Sequence, residues 1–130
     1  MSAQILSGQA LAKTIETELS LRIKTVRATA KRPPYLAVTL VGEDLASQIY
    51  VHRKQQACER VGIDTRLWRF DSDIAQDKFL AHLDQLNADQ NIDGILVQLP
   101  LPAHINLNAV FERIAPSKDV DGFHPINLGR

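Results

Sequence analysis

The chain has 130 residues, which is enough for one domain with a hydrophobic core. It carries 15 basic and 15 acidic residues, so its zero net charge gives no support to a nucleic-acid or membrane-surface partner. Its 45% apolar and 23% charged residues are ordinary for a soluble globular protein, which excludes disordered and collagen-like classes.

The only cysteine, Cys58, permits neither an internal disulfide nor a cysteine-rich zinc site. We interpret it as a small core residue. Residues 1–13 lack the charged start and apolar centre of a signal peptide, and no apolar run reaches the ~20 residues of a membrane span. We therefore expect a cytoplasmic protein. No histidine has metal-ligand spacing, and we predict surface or loop positions for all of them: His52, His82, His104 and His124.

The first predicted element is a helix over residues 7–30, with Ser7 as its N-cap and Pro33 and Pro34 stopping it. Apolar residues recur in it at steps of three and four, which predicts one inward stripe. The stripe comprises Leu11, Ile15, Leu19, Ile23, Val26 and Ala30. Residues 35–41 are a nearly continuous apolar run, typical of a strand buried on both faces of a parallel sheet.

Strands and helices continue to alternate after this point. A second helix ends at Val61 before Gly62, and a strand follows over 63–70. Ser72 or Asp73 is predicted to cap a third helix. The inward residues of that helix are Phe79, Leu80, Leu83 and Leu86. A strand over 92–99, a short helix over 106–114 and a final loop complete the chain. This order predicts an α/β fold, with a small parallel sheet between helices in three layers.

The second helix places a lysine among apolar residues. On a helical wheel, Lys54 falls inside the stripe of Tyr50, Ala57 and Val61. Lys54 either extends past its neighbours to water or is a desolvated lysine with a lowered pKa, able to transfer protons. Tyr50, one turn earlier, is either a core aromatic residue or a surface that stacks on a flat ligand ring.

Two later segments carry polar residues where a ligand could bind. Gln98 interrupts the third strand near its carboxyl end, where α/β sheets bind ligands, and its amide needs a partner in the protein or in a ligand. Pro100 and Pro102 would stiffen the loop that follows. Residues 119–122 lack the further ligands of a calcium loop. A single carboxylate of this segment either accepts hydrogen bonds from the N–H groups of a ligand ring or is solvated in a loop.

Three segments together resemble the bifunctional methylenetetrahydrofolate dehydrogenase/methenyltetrahydrofolate cyclohydrolase family. They are residues 41–54 (VGEDLASQIYVHRK), 93–102 (DGILVQLPLP) and 116–127 (PSKDVDGFHPIN). The resemblance covers essentially the whole chain, in order, as the N-terminal folate-binding domain of that family. Leu45 stands where the family often has proline, a change confined to a loop.

The resemblance implies roles for residues at matching positions. Lys54 is the catalytic lysine, Gln98 hydrogen-bonds near it and tunes it, and Tyr50 packs on the folate rings. Asp121 anchors the pterin. The other substrate-binding residues that it implies are Ser47, Leu99 and Pro100. No metal and no cofactor-binding residue is expected in this chain.

The family oxidises 5,10-methylenetetrahydrofolate with NADP and hydrolyses the methenyl product to 10-formyltetrahydrofolate. This one-carbon metabolism supplies purine, methionine and histidine biosynthesis. The resemblance implies a homodimeric parent whose NADP-binding Rossmann domain follows residue 130, so we expect this domain alone to lack dehydrogenase activity. Two alternatives stay open: a non-catalytic folate-binding or dimerisation module, and a receiver-like regulatory domain, which would need an acidic pocket instead of Lys54 and Gln98.

Overall fold

The computed structural model describes residues 7–129. Helix α1 spans Gly8–Ala30 and begins where the Ser7 hydroxyl accepts the N–H of Ala10, as predicted. Helix α2 spans Leu45–Val61. It ends at Gly62, whose positive φ of 93° is readily adopted only without a side chain.

Three strands form one parallel sheet, which confirms the α/β prediction. They are β1 (Tyr35–Val41), β2 (Asp64–Phe70) and β3 (Gly94–Val97), in the spatial order β2-β1-β3. The central strand β1 pairs along its full length with β2 and over a shorter stretch with β3. Strand β3 is shorter than the predicted run over 92–99, although the N–H of Gln98 still bonds the carbonyl of Thr39.

Helices α3 (Gln76–Ala88) and α4 (Leu107–Arg113) follow, and a 3-10 turn spans Pro116–Lys118. Asn106 caps α4 through its side chain. The prediction that Ser72 or Asp73 caps α3 is wrong. A turn closed by a hydrogen bond from Ile74 to Asp71 precedes the helix, which begins after Ala75 without a side-chain cap.

The two faces of the sheet carry separate clusters of buried side chains. Ala37 and Ile95 point to the side of α3 and α4, where Phe79 and Val110 cover them. On the other face, Val38, Leu40 and Leu96 pack against Val51 of α2. The main contact of helix α1 is with α2. The sheet therefore lies between helices, as the three-layer prediction requires.

The predicted inward stripe of α1 is wrong in most of its positions. Ile23 is the one buried residue of this helix, whereas Leu11, Ile15 and Val26 are 61%, 52% and 48% exposed. Helix α1 packs against one side of α2, and this contact buries fewer of its side chains than packing on a sheet would. An ion pair between Glu16 and Arg60 joins the two helices.

His82 was predicted at the surface, but it is buried on the inner face of α3. Its Nε2 lies 3.0 Å from the Thr39 hydroxyl. Its ring lies 4.6 Å from the ring of Phe70, near Trp68 and Phe79. Burial lowers the pKa of His82, which favours the neutral ring. Helical periodicity alone could have indicated this position, since His82 falls between Phe79 and Leu83 on the same face.

Over residues 7–129, none of the helices combines the length and apolar character that crossing a membrane requires. The same residues contain no group of three histidine, cysteine or acidic side chains that could hold a metal ion.

Candidate active site

Lys54 and Gln98 meet above the carboxyl end of the sheet. The Lys54 Nζ donates to Gln98 Oε1 at 2.9 Å, and the Gln98 Nε2 donates to the carbonyl of Leu99 at 3.1 Å. Gln98 is buried, so this pairing satisfies both ends of an amide that would otherwise be costly to bury. The bond to Leu99 also fixes the amide orientation, with its oxygen toward the lysine.

The helical wheel for α2 was only partly right. Tyr50 and Lys54 do occur one turn apart, but the buried residues of the helix are Ser47, Val51 and Val61. Tyr50 is 51% exposed and Lys54 is also exposed, so neither lies on the inward face as predicted. The predicted stripe omitted Val51, which is buried. The predicted buried face of α2 was therefore turned toward Tyr50 and Lys54, which are exposed.

Ser47 connects the start of α2 to the loop after β3. Its hydroxyl donates to Asp44 Oδ2 at 2.8 Å and lies 3.5 Å from the carbonyl oxygen of Leu99. The side-chain and backbone hydrogen bonds from Ser47 lower the pKa of Asp44. Ser47 is only 2% exposed, and its hydroxyl is engaged by the Asp44 carboxylate. Its contact with a substrate stays a prediction.

The loop residues after Gln98 border the same region. Leu99 is partly buried and Pro100 is exposed. The Leu99 carbonyl accepts from Gln98 Nε2, and the Ser47 hydroxyl lies near it at 3.5 Å. No structural feature tests whether these two residues contact substrate, so that expectation also stays a prediction.

Asp121 lies at a groove of about 530 Å³ between α2 and strands β1 and β3. Lys54 lines the same groove, whose other walls are largely apolar and include Leu96 and Val120. Partial burial raises the pKa of the Asp121 carboxyl; the Lys54 charge lowers it, and the Asp119 charge raises it. A carboxylate and an ammonium group therefore face a pocket large enough for a flat bicyclic ring.

The structure also identifies two acids that the sequence interpretation did not use. Asp44 caps α2 and holds Ser47, and Asp119 accepts hydrogen bonds within the loop that carries Asp121. Asp44 could have been found from its spacing, because an aspartate three residues before a serine at a helix start is a capping pattern. Asp119 has no such local signal.

The family model described as "Tetrahydrofolate dehydrogenase/cyclohydrolase, catalytic domain" matches residues 6–121. Among solved structures, the bifunctional FolD methylenetetrahydrofolate dehydrogenase/cyclohydrolase from Campylobacter jejuni is 44% identical, with a TM-score of 0.94. A 5,10-methylenetetrahydrofolate dehydrogenase from the silkworm Bombyx mori is 46% identical, with a TM-score of 0.96. The Trypanosoma brucei dehydrogenase-cyclohydrolase, complexed with NADP cofactor and inhibitor, is 32% identical, with a TM-score of 0.92.

The matches cover 98%, 99% and 99% of this chain, respectively, but 45%, 44% and 44% of the relatives' chains. The chain thus spans less than half of their length. The family match, the fold and the three sequence segments agree, which confirms the resemblance inferred from the sequence. The chain belongs to the tetrahydrofolate dehydrogenase/cyclohydrolase family and corresponds to its catalytic domain.

Proposed function

We propose that this chain supplies the folate-binding and proton-transferring half of an enzyme of tetrahydrofolate one-carbon metabolism. The whole enzyme would oxidise 5,10-methylenetetrahydrofolate with NADP and hydrolyse the methenyl product to 10-formyltetrahydrofolate. The observation that carries the proposal is the 2.9 Å hydrogen bond between Lys54 and Gln98 beside the groove of Asp121. Family membership supplies the substrate class.

The hydrolysis needs a group that moves protons. The methenyl substrate has an electrophilic carbon between two nitrogens; water adds there, one carbon–nitrogen bond breaks, and one proton is released overall. As an amine, Lys54 would accept the proton that water loses, and as an ammonium ion it would return a proton to the departing nitrogen. Gln98 restrains the Nζ, so the lysine need not be ordered during the reaction.

The folate itself would be held by the other residues of the site. The Asp121 carboxylate would accept hydrogen bonds from N–H groups of the pterin at the groove. The exposed ring of Tyr50 would stack on a flat part of the substrate, one turn from Lys54. Ser47, Leu99 and Pro100 would border the same surface.

Residues 7–129 form no glycine-rich phosphate cradle, because their glycines are far apart in the sequence and those with positive φ lie in separate turns. We assign NADP binding to the part of the relatives that this chain does not match. When bound, NADP accepts the hydride of the oxidation; this chain would contribute the folate side of that reaction.

The same proposal includes a homodimeric, cytoplasmic parent enzyme that serves purine, methionine and histidine biosynthesis. The relatives support an enzyme of folate metabolism rather than the alternative of a non-catalytic module. The zero net charge agrees with a small-molecule substrate rather than a nucleic acid.

The test is hydrolysis of 5,10-methenyltetrahydrofolate, followed by the loss of its absorbance. We expect Lys54→Met to lower the rate by about 10²–10⁴, the usual contribution of a positioned acid–base group. Lys78→Met changes an exposed lysine on α3 and should leave the rate unchanged. Equal rates for the unaltered chain and Lys54→Met would contradict the role of Lys54. Folate binding without any hydrolysis by the unaltered chain would favour the non-catalytic module.

A further inference from the structure

Asp119 is the centre of the hydrogen bonds that shape the loop after the 3-10 turn. Its Oδ2 accepts the backbone N–H of His124 at 2.8 Å and the side-chain amide of Asn127 at 3.0 Å. The same Asn127 amide donates to the carbonyl of Pro116 at 2.9 Å. One carboxylate thus connects both ends of the loop, and Asp121 lies between those ends.

The environment of Asp119 keeps this carboxylate charged. Burial acts to raise its pKa, but hydrogen bonds from the Asn127 side chain and from the N–H groups of His124, Phe123 and Gly122 outweigh burial and hold the pKa below its usual value. Hydrogen bonds to a charged acceptor are about twice as strong as neutral ones.

The residues before this loop are fixed to the body of the domain. Asp119 forms a parallel bridge with Ile95 of β3. Lys118 donates to the carbonyls of Leu86, Asn87 and Asp89 at the end of α3, at 3.1, 2.8 and 2.7 Å. The loop therefore starts from a fixed base, and the bonds that the Asp119 carboxylate accepts join its two ends. The Asn127–Pro116 bond and the contact of the Phe123 ring with Phe111 support the same shape.

We propose that Asp119 is a positioning residue that holds the loop of residues 119–127 so that Asp121 faces Lys54 across the groove. This inference rests on the proposed function for the identity of the ligand, but the placement of Asp121 does not depend on it. The two acids thus have different roles. Asp119 accepts hydrogen bonds from the protein itself, whereas Asp121 lines the groove and can bind a ligand.

The alternative roles for Asp119 fit the contacts less well. A direct ligand contact would compete with the donors of the loop itself, since His124 and Asn127 bind Oδ2 and the N–H groups of Phe123 and Gly122 also bond the carboxylate. A metal ligand would require partners, and no cluster of three such groups occurs among residues 7–129. If Asp119 had a purely structural role, it would stabilise the domain and would affect the pKa of Asp121 through its charge alone, not through the loop.

The first test measures the titration of the Asp121 carboxyl by NMR in the 130-residue chain and in Asp119→Asn. The asparagine places an amide group against the Asn127 donor and removes the negative charge. We expect the Asp121 midpoint to fall, because a neighbouring like charge is lost and the released loop no longer holds the carboxyl against the groove. Asn127→Ala keeps the Asp119 charge and so measures the effect of the loop alone. Asp84→Asn is the control, since Asp84 is an exposed acid that pairs with Arg113 on the α3 side of the sheet, away from the groove. It should leave that midpoint unchanged.

The second test is a double-mutant cycle on the affinity for 5-formyltetrahydrofolate. We expect Asp119→Asn to weaken binding about tenfold, Asp121→Asn to do likewise, and the double variant to lose little more than either. Asn127→Ala removes one hydrogen-bond donor to Asp119 and should weaken folate binding less than Asp119→Asn does. It replaces Asp119→Asn in the cycle if that variant does not fold.

Additive losses in the cycle, or an Asp121 midpoint that is unchanged in Asn127→Ala, where the Asp119 charge is kept, would overturn the positioning role. Absence of folate binding by the unaltered chain would instead count against the proposed function. The NMR titration would then still decide whether Asp119 controls Asp121.

Discussion

Tyr50 presents its ring to solvent one helical turn before Lys54, and at 51% exposure it contributes little to the core. A large aromatic side chain in this position would bury more of its surface against a flat ligand than it buries within the domain. Helical spacing was enough to place Tyr50 beside Lys54, but it could not decide between a core and a ligand-facing ring.

We predict that Tyr50→Ala weakens 5-formyltetrahydrofolate binding by about 2- to 12-fold, the range that corresponds to one aromatic stacking contact. Tyr50→Phe should bind almost as well as the unaltered chain because it keeps the ring. Because the residue is exposed, both variants should unfold at nearly unchanged denaturant concentration. Calorimetric titration and urea unfolding measure the two effects, and equal affinities for Tyr50→Ala and Tyr50→Phe would contradict stacking.

His82 gives the domain a predictable response to acid. Its pKa is lowered by burial in the folded state, so the unfolded chain takes up the proton first as the pH falls. The stability that His82 contributes is present above its unfolded pKa of about 6.5, and it is lost as the pH falls through that value toward the lower folded pKa.

We therefore expect the free energy of unfolding to decline between about pH 7 and pH 5, and His82→Gln to remove part of that decline. The measurement is urea unfolding at each pH. His52→Gln, at an exposed position of α2, is the control that should keep the full slope. A slope that is the same in His82→Gln and the unaltered chain would show that other groups cause the acid sensitivity.

At the scale of the elements, the sequence predicted most of the fold. The apolar run at 35–41, the cap at Ser7 and the glycine at 62 are local signals, and each element formed where they indicated. The faces of α1 and α2 were not predicted correctly, since which side is buried depends on the neighbouring element. The contact between Lys54 and Gln98 joins residues 44 positions apart, and no local pattern encodes it.

The start of β3 and the Asp121 loop are packed too closely for a side chain at Gly94. A Cβ there would lie 2.7 Å from Val120 Cγ1 and 3.2 Å from Leu36 Cδ1. The first distance is shorter than real contacts allow, so the residue next to Asp121 would have to move.

We predict that Gly94→Ala displaces the loop and weakens 5-formyltetrahydrofolate binding several-fold, with a loss of stability of about 1–3 kcal/mol from overpacking. Gly8→Ala is the matched control, because no atom lies within 4 Å of the Cβ it would add. Calorimetry and urea unfolding report the two effects. Unchanged affinity in Gly94→Ala would mean that Val120 yields without moving Asp121.

At the scale of the whole molecule, the site combines three parts of the chain that the parallel sheet brings together. Helix α2 provides Lys54, the end of β3 provides Gln98, and the loop after the 3-10 turn provides Asp121. Gln98 follows the carboxyl end of β3, whereas the Asp121 loop packs beside the start of that strand. The groove extends from Lys54 to residues at the amino ends of β1 and β3. The sequence predicted the place of Gln98 at the strand end, but not this groove.

The most direct measurement is calorimetric titration of the 130-residue chain with 5-formyltetrahydrofolate, alongside Asp121→Ala and Asp84→Ala. Asp84 lies on α3, across the sheet from α2, and is exposed. We predict saturable binding that Asp121→Ala weakens at least tenfold and Asp84→Ala leaves unchanged. Binding that Asp121→Ala does not affect, or no binding at millimolar ligand, would contradict a folate site within this domain.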